Sequence, residues 1–257
     1  MRMTLLLAML IAVSVPALAD DDFLKAVSSN DVATVQSMLA RDPALINAHS
    51  PKGTSAVTSA LFINKGEGFM DPATNKILHA ILALKPHLDV FETAALGTPA
   101  QLEAMLPDAA SLSRRTQFGW TLLHMSAFGG NAATTEWLVK KGLDVNARAG
   151  SKFRNTPLQT AILSGQYATA KILLDHGADA LVRQSKGFAP MHEAALIGKQ
   201  EIVQLLLDHG AEINSVADNG DTPLAEAVRG KHEELAAWMK AKGAVLTAVP
   251  DEESLKK

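Results

Sequence analysis

The sequence predicts an all-α solenoid of about seven helix-pair units joined by short β-hairpin-like fingers, and three observations predict it. Residues 155–180, 188–213 and 221–246 align without a gap, each copy offset by 33 residues from the one before, and self-similarity at such a period marks stacked repeats. One small residue can be followed further, as Ala26, Ser59, Ala94, Ser126, Ala161, Ala194 and Ala227, at spacings of 33, 35, 32, 35, 33 and 33. Within a copy the apolar residues recur at helical spacing, with Ile202, Leu205 and Leu206 at i, i+3 and i+4.

The elements follow in chain order. Residues 1–19 carry Arg2, an apolar run from Leu5 to Val15, then Pro16 and the small Ala17 and Ala19. That is the pattern of a secretory signal peptide cleaved after Ala19. The run is well short of the roughly twenty residues a bilayer span needs. With no cysteine, the chain can carry neither a disulfide nor a lipid-modified N-terminal Cys, so the expected location is the bacterial periplasm. Cleavage leaves 23 basic residues against 27 acidic ones, a net charge of −4, which argues against nucleic acid as a partner.

Residues 20–246 form the repeat domain, partial in its match to the repeat over 22–60 and poor between 61 and 112. There GEGFMDPATN lengthens the loop between two helices and KPHLDVFETAALG runs into the third unit with almost no finger, predicting an irregular bulge. From Gly119 the pattern is regular. In Thr156-Pro157 and Thr222-Pro223 the hydroxyl is placed to accept from free helix N–H groups, and Pro takes the first helical position, where no N–H is needed. Ala194 and Ala195 allow close approach of neighbouring units, and Gly198 and Gly210 end the two helices of their unit. Polar stretches such as AEINSVADNGDT form the fingers, and residues 247–257 read as a frayed polar tail.

Thr121-Leu122-Leu123-His124, Thr156-Pro157-Leu158-Gln159, Ala189-Pro190-Met191-His192 and Thr222-Pro223-Leu224-Ala225, with the two Asp-His-Gly-Ala segments at 175–178 and 208–211, resemble the ankyrin repeat. The resemblance implies helix pairs stacked into a curved solenoid with fingers projecting at right angles, each unit completing its core on its neighbours. It also implies that the fourth-position histidine is structural, bonding backbone groups of adjacent fingers. Thr121, His124, Thr156, Pro157, Pro190, His192, Thr222 and Pro223 are accordingly expected to build the scaffold.

His192 beside Glu193 could in principle be a metal ligand and a general base. Equivalent slots hold His124, Gln159 and Ala225, however, and a ligand or base would not alternate with Gln and Ala. Glu193 is read in a solvent-facing slot shared with Met125, Thr160 and Glu226. His176 and His209 recur 33 residues apart near helix ends, where a cation complements the dipole. No H-E-x-x-H, G-x-S-x-G, phosphate loop or dinucleotide fingerprint is present. The chain is therefore read as no enzyme, with no cofactor and no metal. The rival reading is a hydrolase or metal-dependent enzyme using His79, His87, Asp89 and Glu92.

One asymmetry is not demanded by the repeat. Four finger segments, residues 47–53, 113–120, 146–155 and 181–187, contain no acid and hold Lys52, Arg114, Arg115, Arg148, Lys152, Arg154, Arg183 and Lys186. Solvation of exposed tips explains part of this. A basic edge that steers an acidic protein partner explains it more sharply. Beside the edge, the inner helices are read as offering Met125, Phe128, Thr160, Leu163, Glu193, Ile197, Glu226 and Arg229, an apolar centre with a charged rim. Trp120 is the tryptophan placed to anchor a partner, whereas Trp137 and Trp238 fall on second helices as packing residues. The function expected is non-catalytic protein binding by a monomeric exported adaptor that stabilises or regulates an envelope protein. The alternative is an inhibitor or immunity protein for a hydrolase.

Overall fold

A computed structural model describes residues 19–63, 75–150 and 154–247. The signal-like segment up to residue 18, almost all of the GEGFMDPATN loop, Lys152 and the tail from residue 248 lie outside the described residues. Fourteen α-helices occur among the described residues, in seven consecutive pairs. They are α1 (residues 19–28) with α2 (Val32–Arg41), α3 (Ala56–Leu61) with α4 (Lys76–Ala83), α5 (Val90–Leu96) with α6 (Pro99–Ala104), and α7 (Leu122–Phe128) with α8 (Ala132–Lys140). The last three pairs are α9 (Pro157–Leu163) with α10 (Tyr167–Asp175), α11 (Pro190–Leu196) with α12 (Gln200–Asp208), and α13 (Pro223–Arg229) with α14 (Glu233–Ala241). The described residues are helical, with no strand longer than an isolated bridge.

The chain divides into two compact units, Met1–Asp89 and Val90–Lys257. In the first, Asp31, Ser55 and Asn75 each accept a backbone N–H three residues on, capping α2, α3 and α4. The Asn75 amide also donates to the Ala60 carbonyl at 2.6 Å, which ties the start of α4 to α3. Phe23, Val35, Leu39, Leu61, Ile77 and Ile81 are buried there, each contributing about 1.5–3 kcal/mol by leaving water.

In the second unit the inner helices α5, α7, α9, α11 and α13 pack each against the next, and the outer helices do so from α6 to α12. The small residues Ala94, Ser126, Ala161, Ala194 and Ala227 are fully buried on the inner helices. α5 and α6 are a regular pair within the stretch read as irregular. A capping box starts α6, with Thr98 and Gln101 exchanging backbone-to-side-chain bonds at 2.8 and 3.2 Å.

The caps of the inner helices differ from unit to unit. Thr121 and Thr156 accept from the N–H groups of His124 and Gln159. Thr222 corrects the sequence expectation: its hydroxyl makes no cap bond and instead donates to the Val245 carbonyl at 2.8 Å, because the chain leaving α14 passes beside it.

Four fingers turn tightly among the described residues. The turns 50–53, 116–119, 184–187 and 217–220 close with the fourth residue's N–H on the first residue's carbonyl at 2.8–3.0 Å. That fourth residue is glycine with positive φ in every case, as the return of the strand requires. Strand pairing goes no further than isolated antiparallel bridges, His49 to Ser55 and Arg115 to Thr121, among the described residues.

Candidate functional site

The site is built on the seam where fingers meet inner helices. His124 is fully buried. Its Nδ1 accepts the Thr121 N–H at 3.2 Å, and its Nε2 reaches the Asn155 carbonyl at 3.0 Å. A carbonyl only accepts, so the proton sits on Nε2. His192 repeats the arrangement, with Nδ1 accepting the Ala189 N–H at 3.1 Å and Nε2 donating to the Asp221 carbonyl at 3.1 Å. In α9 the same position is Gln159, whose Oε1 accepts the Thr156 N–H while its amide donates to Glu193 at 3.3 Å. Burial lowers the pKa of both histidines, that of His124 to about 4, so both are neutral at pH 7 with no ring nitrogen left for chemistry.

The arginines form a second repeating row, which sequence reasoning missed. Arg115 Nη1 donates to Gly119 O in its own finger at 2.8 Å and to Arg148 O in the next at 3.0 Å. Arg148 Nη1 donates to Arg154 O at 3.4 Å and Arg183 O at 2.8 Å. Arg183 Nη1 donates to Gly187 O at 3.5 Å and Val216 O at 2.6 Å. Each guanidinium thus staples its own finger to the equivalent residue of the next, and the row ends where Val216 replaces arginine. The signal was present in the spacing, since 115, 148, 183 and 216 fall 33, 35 and 33 apart.

Each staple uses a single guanidinium nitrogen, Nη1, and leaves the donors on the other two nitrogens. No salt bridge among the described residues reaches Lys52, Arg114, Arg115, Arg148, Arg154, Arg183 or Lys186. All of these are exposed except Arg148, which is half-buried. Arg114 lies over the Phe91 ring at 5.8 Å. Arg154 holds a positive φ of 56° at the start of the last stretch of its finger.

The inner-helix residues are placed differently from their sequence reading. Met125, Phe128, Thr160, Glu193 and Glu226 are buried, because successive inner helices pack directly on one another and close over these positions. Leu163 and Ile197 are half-buried and Arg229 is exposed. Trp120 is half-buried, its ring 6.0 Å from His124 and 5.6 Å from Phe128. Trp137 and Trp238 are also half-buried, each under a lysine ammonium, Lys141 at 5.0 Å and Lys242 at 5.3 Å.

Glu193 is 2% exposed, and burial pushes its carboxyl well above the usual carboxylate range. Its Oε1 accepts from Gln159 and from Gln184, the latter at 2.9 Å, while Oε2 has no hydrogen-bond partner. Burial likewise raises the Glu226 carboxyl, opposed by its bond to Arg229, which also pairs with buried Asp221.

His79, His87 and Asp89 are exposed and Glu92 is buried. The His87 amide donates to the Asn47 side chain at 3.3 Å. Among the described residues no three His, Asp or Glu side chains are grouped to hold a metal ion, and no helix is long and apolar enough to cross a membrane.

Stacked helix pairs, neutral seam histidines and paired fingers define a repeat scaffold rather than a pocketed globular domain. The profile of ankyrin repeats (three copies) matches residues 90–184 and 179–249, more than half of the chain. The chain belongs to the ankyrin-repeat family. Ankyrin repeats generally mediate protein–protein interaction, so a protein is the partner class.

Similar proteins include human ankyrin repeat and KH domain-containing protein 1, 34% identical over 94 residues, 37% of this chain and 4% of that protein. Human ankyrin repeat domain-containing protein 17 is 37% identical over 81 residues, 32% of this chain and 3% of that protein. Palmitoyltransferase akr1 of Neurospora crassa is 29% identical over 127 residues, 48% of this chain and 17% of that protein. The chain therefore spans a small fraction of each relative's length.

Proposed function

We propose that this protein is a non-catalytic, monomeric adaptor, exported to the periplasm, that binds an acidic protein of the cell envelope along its finger edge and stabilises or regulates it. The observation that carries this reading is the row of arginines with unspent donors and no ion-pair partner among the described residues, in a chain whose formal net charge is −3. A one-signed row on an oppositely charged body steers a complementary partner and resists others. Residues 1–19 support export by their basic start, apolar run and small residues before Asp20. The non-catalytic reading is supported by the histidines of the seam, whose ring nitrogens are engaged by backbone groups.

The test is recovery of proteins from an envelope extract on the chain beginning at Asp20, beside a variant carrying R114E and K186E. Neither side chain takes part in the staples, so the bonds between fingers are left intact. A partner captured by the native chain, lost by the variant and released by raising salt supports the reading. Equal capture by both at all salt concentrations would move the site off the edge. Mass spectrometry of the protein from the exporting cell should find Asp20 as its first residue.

A further inference from the structure

We propose that the finger edge recognises an extended acidic segment of its protein partner, one that presents carboxylates interleaved with apolar side chains, and that this segment is held at its end in the cleft between Arg183 and Ser215. The inference rests on the protein-binding reading above and names the partner's chemistry.

The edge is not uniformly charged. Phe118 at one finger tip is 61% exposed, Leu181 before the next-but-one finger 50%, and Val216 at the end of the arginine row 45%. Among the described residues these are the large apolar side chains exposed beside the arginine row, so apolar contacts lie among the guanidinium groups. An extended chain shows successive side chains to alternate sides and leaves its backbone free to bond. It can therefore meet both kinds of contact along one line.

At the end of the row lies a cleft of about 220 Å³. Its floor is apolar, with Met191 fully buried among alanines, and its rim carries Leu181, Arg183, Glu212 and Ser215. Ser215 is only 6% exposed, and its Oγ has no hydrogen-bond partner. A buried hydroxyl left unpaired costs about 1–3 kcal/mol, and a ligand that bonds it would recover that cost. Arg183 stands in the same cleft with one nitrogen bonded to Val216 O and Gly187 O and its other donors unspent. A carboxylate there would accept from both groups.

Glu212, on the rim and without an ion pair among the described residues, decides between polyanions. It would accept the backbone N–H of a peptide whose side-chain carboxylate lies on Arg183, a donor that a phosphate chain does not offer. Protein, not nucleic acid, is the occupant that this lining fits.

The probe is a fluorescein-labelled peptide of alternating glutamate and leucine, titrated by anisotropy with the full chain from Asp20 at low salt and at roughly 0.15 M salt. The glutamate–leucine peptide should bind, and its glutamine–leucine counterpart should not. R183Q should weaken binding about tenfold, as loss of a charge-assisted bond does, and S215A by a smaller factor without lowering the melting temperature. K199Q, away from the edge, should leave affinity as it is.

Equal binding of the glutamine peptide, or no effect of either S215A or R183Q, overturns the proposal. So does a thymidine oligonucleotide that displaces the peptide at matched charge. Deleting residues 248–257 should not change affinity; a rise would make that acidic tail the resident occupant and overturn the assignment to another protein. If no acidic peptide binds while the native chain still captures a partner that R114E and K186E release, the adaptor reading stands and the extended-segment inference falls.

Discussion

His124 shows how a single side chain can serve the scaffold and register pH. Burial is the largest cause of its low pKa, opposed by its bond to Asn155 and reinforced by the positive charge of Arg115. Because the folded value of about 4 lies below the ordinary 6.5, the unfolded chain binds more protons between those pH values. The corresponding stability, roughly 3 kcal/mol, is fully present above pH 6.5 and is lost as the pH falls to about 4. H124Q keeps a side chain that Gln159 shows can fill this position, and it cannot titrate. In urea denaturation the native chain should lose up to roughly 3 kcal/mol more than H124Q on going from pH 7.5 to 4.5; parallel losses would mean that His124 is not buried neutral.

Glu193 has the opposite sign. Its folded pKa lies above the unfolded one, so the folded state holds the extra proton and stability falls as pH rises from the unfolded value of about 4.5. E193Q keeps the acceptor for Gln159 and Gln184 and removes the ionisation. The stability advantage of E193Q over the native chain should therefore grow from pH 5 to pH 8, and a constant difference would refute a carboxyl held neutral. From the sequence this residue read as surface. The repeat register placed it on the inner helix, but whether the next inner helix covers it depends on how closely α11 and α13 approach, which the side chains of other units settle.

At the scale of elements, a finger and a helix end depend on glycine for two separable reasons. Gly119 and Gly142 both have positive φ, 73° and 86°. A Cβ on Gly142 would meet nothing within 4 Å, whereas one on Gly119 would lie 2.5 Å from Gly150 Cα in the next finger. G142A should cost about 1 kcal/mol, the conformational term alone. G119A should cost clearly more and lower the melting temperature further, since two backbones must separate. Equal costs would show that the fingers adjust without loss. The turn was legible from the polar stretch and its glycine, but the contact between fingers was not.

At the scale of the molecule, the unit Val90–Lys257 is a row in which each helix pair completes its core on the next. α11 packs on α13, and His192 donates to the Asp221 carbonyl just before α13. Ending the chain after Gly220 should therefore loosen α11 and α12 as well as remove the last pair. Hydrogen exchange should show lost protection at Met191 to Leu206 with α7 and α8 unchanged; loss confined to the deleted residues would mean that the pairs are independent.

The sequence alone determined the number of helix pairs and the place of the regular ones from Gly119 on, though not the regular pair α5 and α6, because the 33-residue period and the glycine stops act within a few residues of where they stand. It also placed the acid-free basic fingers, since that is composition at known positions. What only the tertiary structure decided is what each unit does to its neighbour. Arg115, Arg148 and Arg183 become staples only when the next finger's carbonyl lies within reach, and Thr222 gives up its cap only because the chain after α14 returns beside it. Met125, Thr160 and Glu193 move from the expected contact surface to the core for the same reason. Local propensity is written residue by residue, whereas burial and bonding between units depend on distances that residues about 33 positions apart set together.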